Sequence, residues 1–296
     1  MKTIASIIFL TSLFLQLIGQ EVTSFKTSDG ETLFFTKIGN GPRVILLYGG
    51  PGPAVNAMRP WADTLKNENE CFLFDQRGTG LSVNVKLDST TINLERAVSD
   101  LDDLRQFLGE DQLTLCGISW GAMLAQAYAA YYPDKTKKIV LVSTLGPDLS
   151  LMTAFTDNRT MRRFQDLDSI KYWNEQPDSE YSEMKRKFFT FLSEFYDRKE
   201  AFKMMPEFIA GYASNKTTSS LMWKDLYKVY DLKSRLPLYK GESIIIRPRQ
   251  DAVPAESIFQ IKEVIPQTRI FFIEKCGHLT DLEKPAELFR ILGKVL

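Results

Sequence analysis

The sequence predicts an α/β protein, a mostly parallel, doubly wound sheet interrupted once by a helical insertion. Three observations carry that reading. From residue 43 to 143, apolar runs of strand length alternate with a segment of helical period and a compact apolar helix. From 148 to 233 the alternation stops and no strand reads. From 242 to the end it resumes. Strands that alternate with helices need crossover connections and so pair in parallel. The middle stretch is therefore an insertion into one sheet domain rather than a second domain in tandem.

In order along the chain, "VTSFKTSDGETLFFTKIGNG" alternates apolar and polar residues around Asp29-Gly30, the pattern of a hairpin. "RVILLY" at 43–48 and "CFLFD" at 71–75 follow as strands. Residues 92–108 place Ile92, Leu94, Val98, Leu101, Leu104 and Leu108 at helical spacing. The segments 112–116 and 138–143 read as strands with a helix at 122–133 between them. Strands at 242–248 and 268–274 then alternate with helices at 255–263 and 281–295. In the insertion, 16 of 86 residues are aromatic, against 12% of the chain, and six of the nine methionines fall there. Such adaptable apolar bulk forms either a small helical core or a cap over an apolar pocket.

Among its 296 residues, 37 basic residues balance 37 acidic ones, so no net field recruits nucleic acid or anionic lipid. The first nineteen residues read as a signal peptide: Lys2, then an uncharged apolar stretch to the small residue Gly19. An uncleaved anchor is the alternative, but the stretch is short and diluted by Thr, Ser and Gln. The expectation is an exported protein, periplasmic or secreted, without stable membrane insertion after cleavage. The domain plan is a core at 20–147, a cap at 148–233 and the core again at 234–296. Cys71, Cys116 and Cys276 cannot all pair, and each lies in an apolar context or beside a strand end. They are expected as buried free thiols.

The chemistry concentrates in four places. "GISWG" at 117–121 stands between a strand and a helix, the setting of a nucleophile elbow that lifts Ser119 above a sheet. A serine needs a base, and His278 is the single histidine, just past the last strand beside Gly277. An acid must orient that ring. Asp251, after the penultimate strand, gives the order Ser, Asp, His, while Asp148, one strand earlier, is its rival. Finally, "YGGPG" at 48–52 puts glycines against the end of a core strand. An ordinary tight turn would explain them, but so would an oxyanion hole, whose two amides would come from Gly50 (or Gly49) and Trp120. This machinery requires no metal and no cofactor.

These motifs resemble those of the proline iminopeptidases, a family of α/β-hydrolases. The resemblance rests on "GGPG" at 49–52, "DQRGTGLS" at 75–82, "GISWG" at 117–121, Asp251 and "GHLTDLEKP" at 277–285. It implies the α/β-hydrolase fold and a turn at Asp75–Gly78 that braces the oxyanion loop. It also implies release of N-terminal residues, proline preferred, from short peptides through an acyl-enzyme. Tyr48 stands where that family usually has histidine, and its phenol is expected to hydrogen-bond the loop. Such a peptidase must read the substrate's ammonium. Glu207, the only charge between Lys203 and Lys216, is either that anchor or a helix N-terminal residue after Pro206. A carboxylesterase on the same machinery is the alternative, and a non-catalytic binding protein of the same fold is a third.

Overall fold

The computed structural model describes residues 21–296, and the leader expected at 1–19 lies outside the described residues. Eight strands form one sheet in the order β1-β2-β4-β3-β5-β6-β7-β8. β1 (Glu21–Lys26) and β2 (Thr32–Gly39) pair antiparallel through the Asp29-Gly30 turn, and β2 pairs antiparallel with β4 (Glu70–Asp75). From there the sheet is parallel: β4 to β3 (Arg43–Leu47), then β5 (Leu113–Ile118), β6 (Thr136–Val142), β7 (Glu242–Pro248) and β8 (Arg269–Ile273). β3 and β5 are buried on both faces because helices cover each side. This is why they read as unbroken apolar runs rather than alternations.

On one face lie α2 (Leu94–Phe107) and α3 (Trp120–Tyr131). α3 is buried all round, and its alanines let it lie close against the strands. On the other face lie α1 (Arg59–Leu65) and, near the C-terminus, α11 (Pro285–Val295). α1 is invisible to periodicity because seven residues make only two turns. Pro60 is tolerated there, since the first turn has no intrahelical partner for its amide. The helix expected over 281–295 is broken in two, α10 (Thr280–Glu283) and α11, with Pro285 opening the second. α9 (Glu256–Val264) covers the link between β7 and β8.

Between β6 and β7 the described chain is helical: α4 (Met152–Arg162), α5 (Leu167–Glu175), α6 (Glu180–Leu192), α7 (Arg198–Gly211) and α8 (Lys216–Val229). An isolated bridge between Asp148 and Asp231 ties its two ends together. Phe188, Leu192, Phe195, Ala201, Met205 and Ile209 form a core of its own, and Leu279 of the sheet domain inserts into that core. Among the described residues, no helix is long and apolar enough to cross a membrane.

Candidate active site

Ser119 sits between β5 and α3 at φ 54°, ψ −122°. An L-residue is strained there by about 1–3 kcal/mol, and its neighbours hold it in place. The Ser119 amide donates to the Val142 carbonyl at 2.9 Å, and the Ser119 carbonyl accepts from Ala122 and Met123. The flanking glycines are forced by close approach. A Cβ on Gly117 would lie 2.3 Å from the Gly121 backbone, and one on Gly121 would lie 2.0 Å from the Leu47 carbonyl oxygen. Helix α3 can start against β3 only if those positions carry no side chain.

His278 and Ser119 line the same cavity, of about 420 Å³. No hydrogen bond joins Ser119 Oγ to the ring across that cavity. Nδ1 of His278 lies 2.9 Å from Asp251 Oδ1, which also accepts from the Val253 amide at 3.0 Å. Burial works against the imidazolium, but the Asp251 charge outweighs it and holds the ring's pKa above its ordinary value. Burial likewise opposes the Asp251 anion. His278 and Arg247 prevail, and its pKa is lowered. Arg247 stands 3.6 Å from Asp251 Oδ2, close enough to balance charge without a hydrogen bond. Gln250 ties the two loops together, its amide donating to the Cys276 carbonyl and its Oε1 accepting from the Cys276 amide. Asp148 is elsewhere, paired with Lys233 at 2.6 Å and accepting from Ser150.

Gly49, Gly50 and Trp120 also line the cavity. Gly50 has φ +129°, a conformation that favours glycine. Trp120 is the first residue of α3, so its amide has no helical carbonyl to bond. Gln76 spans the gap between them. It accepts from the Trp120 indole at 2.7 Å and donates to the Tyr48 carbonyl at 3.2 Å. Arg77 fixes that turn through ion pairs to Asp100 and Asp29. Tyr48 departs from expectation. Its main-chain carbonyl, not its phenol, meets this brace, and the side chain is buried in the cavity wall.

Residues 42–285 match the alpha/beta hydrolase fold family. The chain belongs to that family. A proline iminopeptidase of Heyndrickxia coagulans is similar to this α/β-hydrolase, 27% identical over 276 residues, covering 88% of this chain and 93% of the relative. Among solved structures, an alpha/beta fold family hydrolase from Bacillus anthracis str. Sterne superposes with TM-score 0.75 at 17% identity, over 94% of this chain and 99% of the other. An enol-lactonase from Burkholderia xenovorans LB400 superposes with TM-score 0.69 at 15% identity, over 92% and 98%.

The insertion roofs the hydrolase cavity with apolar side chains, among them Phe155, Phe191, Phe208 and Trp223. It also contributes two charges that the sequence pattern did not expose, Arg159 and Glu194. Glu194 is 3% exposed, yet neither carboxylate oxygen has a hydrogen-bond partner. Arg159 Nη2 approaches to 2.5 Å, a charge contact without hydrogen-bond geometry. In the sequence Glu194 carries no distinguishing pattern, one acid in "LSEFYD". Only the fold turns that segment inward. Glu207 lies inside α7, not at a helix start, because α7 begins at Arg198 and runs through Pro206. Its side chain lies outside the described ones. Among the described residues, no group of three or more His, Cys, Asp or Glu side chains is placed to hold a metal ion.

Proposed function

We propose that the chain is a serine hydrolase of the proline iminopeptidase type, releasing N-terminal residues from short peptides through an acyl-enzyme. In this reading Ser119 Oγ attacks the scissile carbonyl while His278 takes its proton, and Asp251 supports the imidazolium that forms. The amides of Gly50 and Trp120 hold the oxyanion. His278 then returns the proton to the leaving amine, and water repeats the sequence on the ester. The observation that carries the reading is the Asp251–His278 pair at the wall of the cavity that holds the Ser119 elbow.

Glu194 supports a peptidase over other hydrolases. Its buried carboxylate has only the Arg159 ion pair, and a substrate ammonium would add charge-assisted hydrogen bonds that a buried anion needs. Glu207 is the other acid proposed for that role. The Arg159 contact supports a second reading. A cation already stands beside Glu194, so an uncharged substrate also suits the apolar cavity, and a carboxylester hydrolase follows. We also propose that residues 1–19 direct export, on the strength of their sequence.

One experiment separates these readings. A fluorophosphonate should label a single site within residues 117–121, and an adduct elsewhere would remove Ser119 as the nucleophile. Prolyl and other aminoacyl amides should then be turned over faster than short acyl esters. Ester turnover without amide turnover would select the esterase. No labelling and no turnover would leave a binding protein.

A further inference from the structure

The residue that joins the cap to the histidine loop belongs to neither. Glu283 ends the short helix α10, five residues after His278. Its Oε1 accepts from the Tyr196 amide at 2.9 Å and the Asp197 amide at 2.6 Å, both in the cap segment between α6 and α7. Its Oε2 accepts from the Gly277 amide at 2.5 Å. One carboxylate therefore gathers three backbone donors from two parts of the chain, the strong form of such a bond.

The same two segments meet twice more. The His278 amide donates to the Glu194 carbonyl at 2.6 Å. A Cβ on Gly277 would fall 2.2 Å from that same carbonyl oxygen, so the cap backbone rests directly on the loop. Leu279 completes the contact by packing with Phe188, Leu192 and Phe195. A cap that swung away as a free lid would take with it the acceptor of the His278 amide and two of the donors to Glu283.

We infer that Glu283 is a positioning residue that clasps cap residues 194–197 to the His278 loop, making the placement of the cap and of the imidazole a single variable. The inference rests on the serine-hydrolase reading for its effect on rate, and on geometry alone for the clasp. Glu194 then has two links to the site: it lines the cavity with its carboxylate against Arg159, while its carbonyl holds the His278 backbone. A ligand that engages that carboxylate acts on the segment that sets the base. Recognition under the cap would accordingly show in kcat as well as in KM.

Glu283→Gln tests this, because a single amide oxygen cannot serve both sides and the new NH2 would face backbone donors. Labelling of Ser119 by a fluorophosphonate and kcat should each fall about 10- to 100-fold with KM little changed, the scale of a small misplacement. Glu283→Asp, which keeps both oxygens on a shorter arm, should recover part of the loss. A lower Tm with unchanged labelling and kcat would reduce Glu283 to a structural contact and overturn the inference. Amide exchange on the wild-type protein covers the case in which no variant folds. Segments 194–197 and 276–278 should open together as one unit, and independent opening would overturn the clasp. A wild-type protein that fails to react with the fluorophosphonate would count against the hydrolase reading, while the exchange arm still decides the clasp.

Discussion

The carboxyl edge of the sheet and the cap above it are built on different terms. At the edge, backbone meets backbone. Gly121 has no room for a Cβ against the Leu47 carbonyl, and Gly117 has none against Gly121. In the cap, side chains meet side chains. Phe188, Leu192, Ala201 and Met205 form a core in which apolar volume matters more than identity. The sharpest break of that contrast is at the edge itself. Ser119→Ala should keep the fold and lower kcat by about 10⁴-fold or more, measured on an aminoacyl amide and an ester alike. Appreciable residual turnover on either would place the nucleophile elsewhere.

The next largest effect compares two aspartates, one in the core loop and one at the cap's hinge. Asp251→Asn removes the carboxylate from His278 and should cost about 10³- to 10⁴-fold in kcat. It should also move the acid limb of the pH–rate profile. In the proposed mechanism neutral imidazole is the base, so activity should be lost as pH falls through the His278 pKa. Burial opposes the charged ring, but Asp251 raises that pKa above 6.5. Without the charge the limb shifts to lower pH. Asp148→Asn loses only the Lys233 pair and the Ser150 contacts, and should leave kcat nearly intact. The reverse ranking would exchange their roles.

This contrast also explains what the sequence made legible. β3 was readable because burial on both faces leaves an apolar run, and the elbow because close approach admits only glycine at 117 and 121. The turn at Asp75–Gly78 was marked only by the family resemblance, and the partners of Gln76 were not legible at all. α1 was hidden by its length. Glu194 was hidden for a deeper reason. Its segment is held against the Gly277 loop by the His278 amide and the close approach at Gly277, a long-range contact with no local pattern. Glu207 drew notice because it is isolated among apolar residues, and isolation in sequence does not report direction in space.

Those two acids give the third prediction, which tests whether specificity lies in the cap. Glu194→Gln should raise KM for prolyl amides about 10- to 100-fold, the range for a lost hydrogen bond to a charged group, lower their kcat as well, and leave a neutral ester almost unaffected. An equal loss on both substrates would assign Glu194 to folding. If Glu207→Gln alone shows the amide-selective loss, the ammonium site lies on α7 instead.

The smallest expected effect is none at all, and it concerns the core alone, which holds all three cysteines. Cys71 on β4 and Cys116 on β5 both flank β3, one opposite Val44 and the other opposite Leu46. Two strand spacings put them about 9.6 Å apart or more, whereas a disulfide needs Cα atoms within about 7 Å. Cys276 follows β8, three strands beyond β5. Burial also pushes the Cys71 and Cys276 thiols up to about 12, so the reactive thiolate is scarce. An oxidising compartment should therefore leave all three as thiols. Tm should be the same with and without reductant, and the unfolded protein should titrate three free thiols. A reductant-sensitive Tm would mean that two of these strands are not where the sheet order puts them.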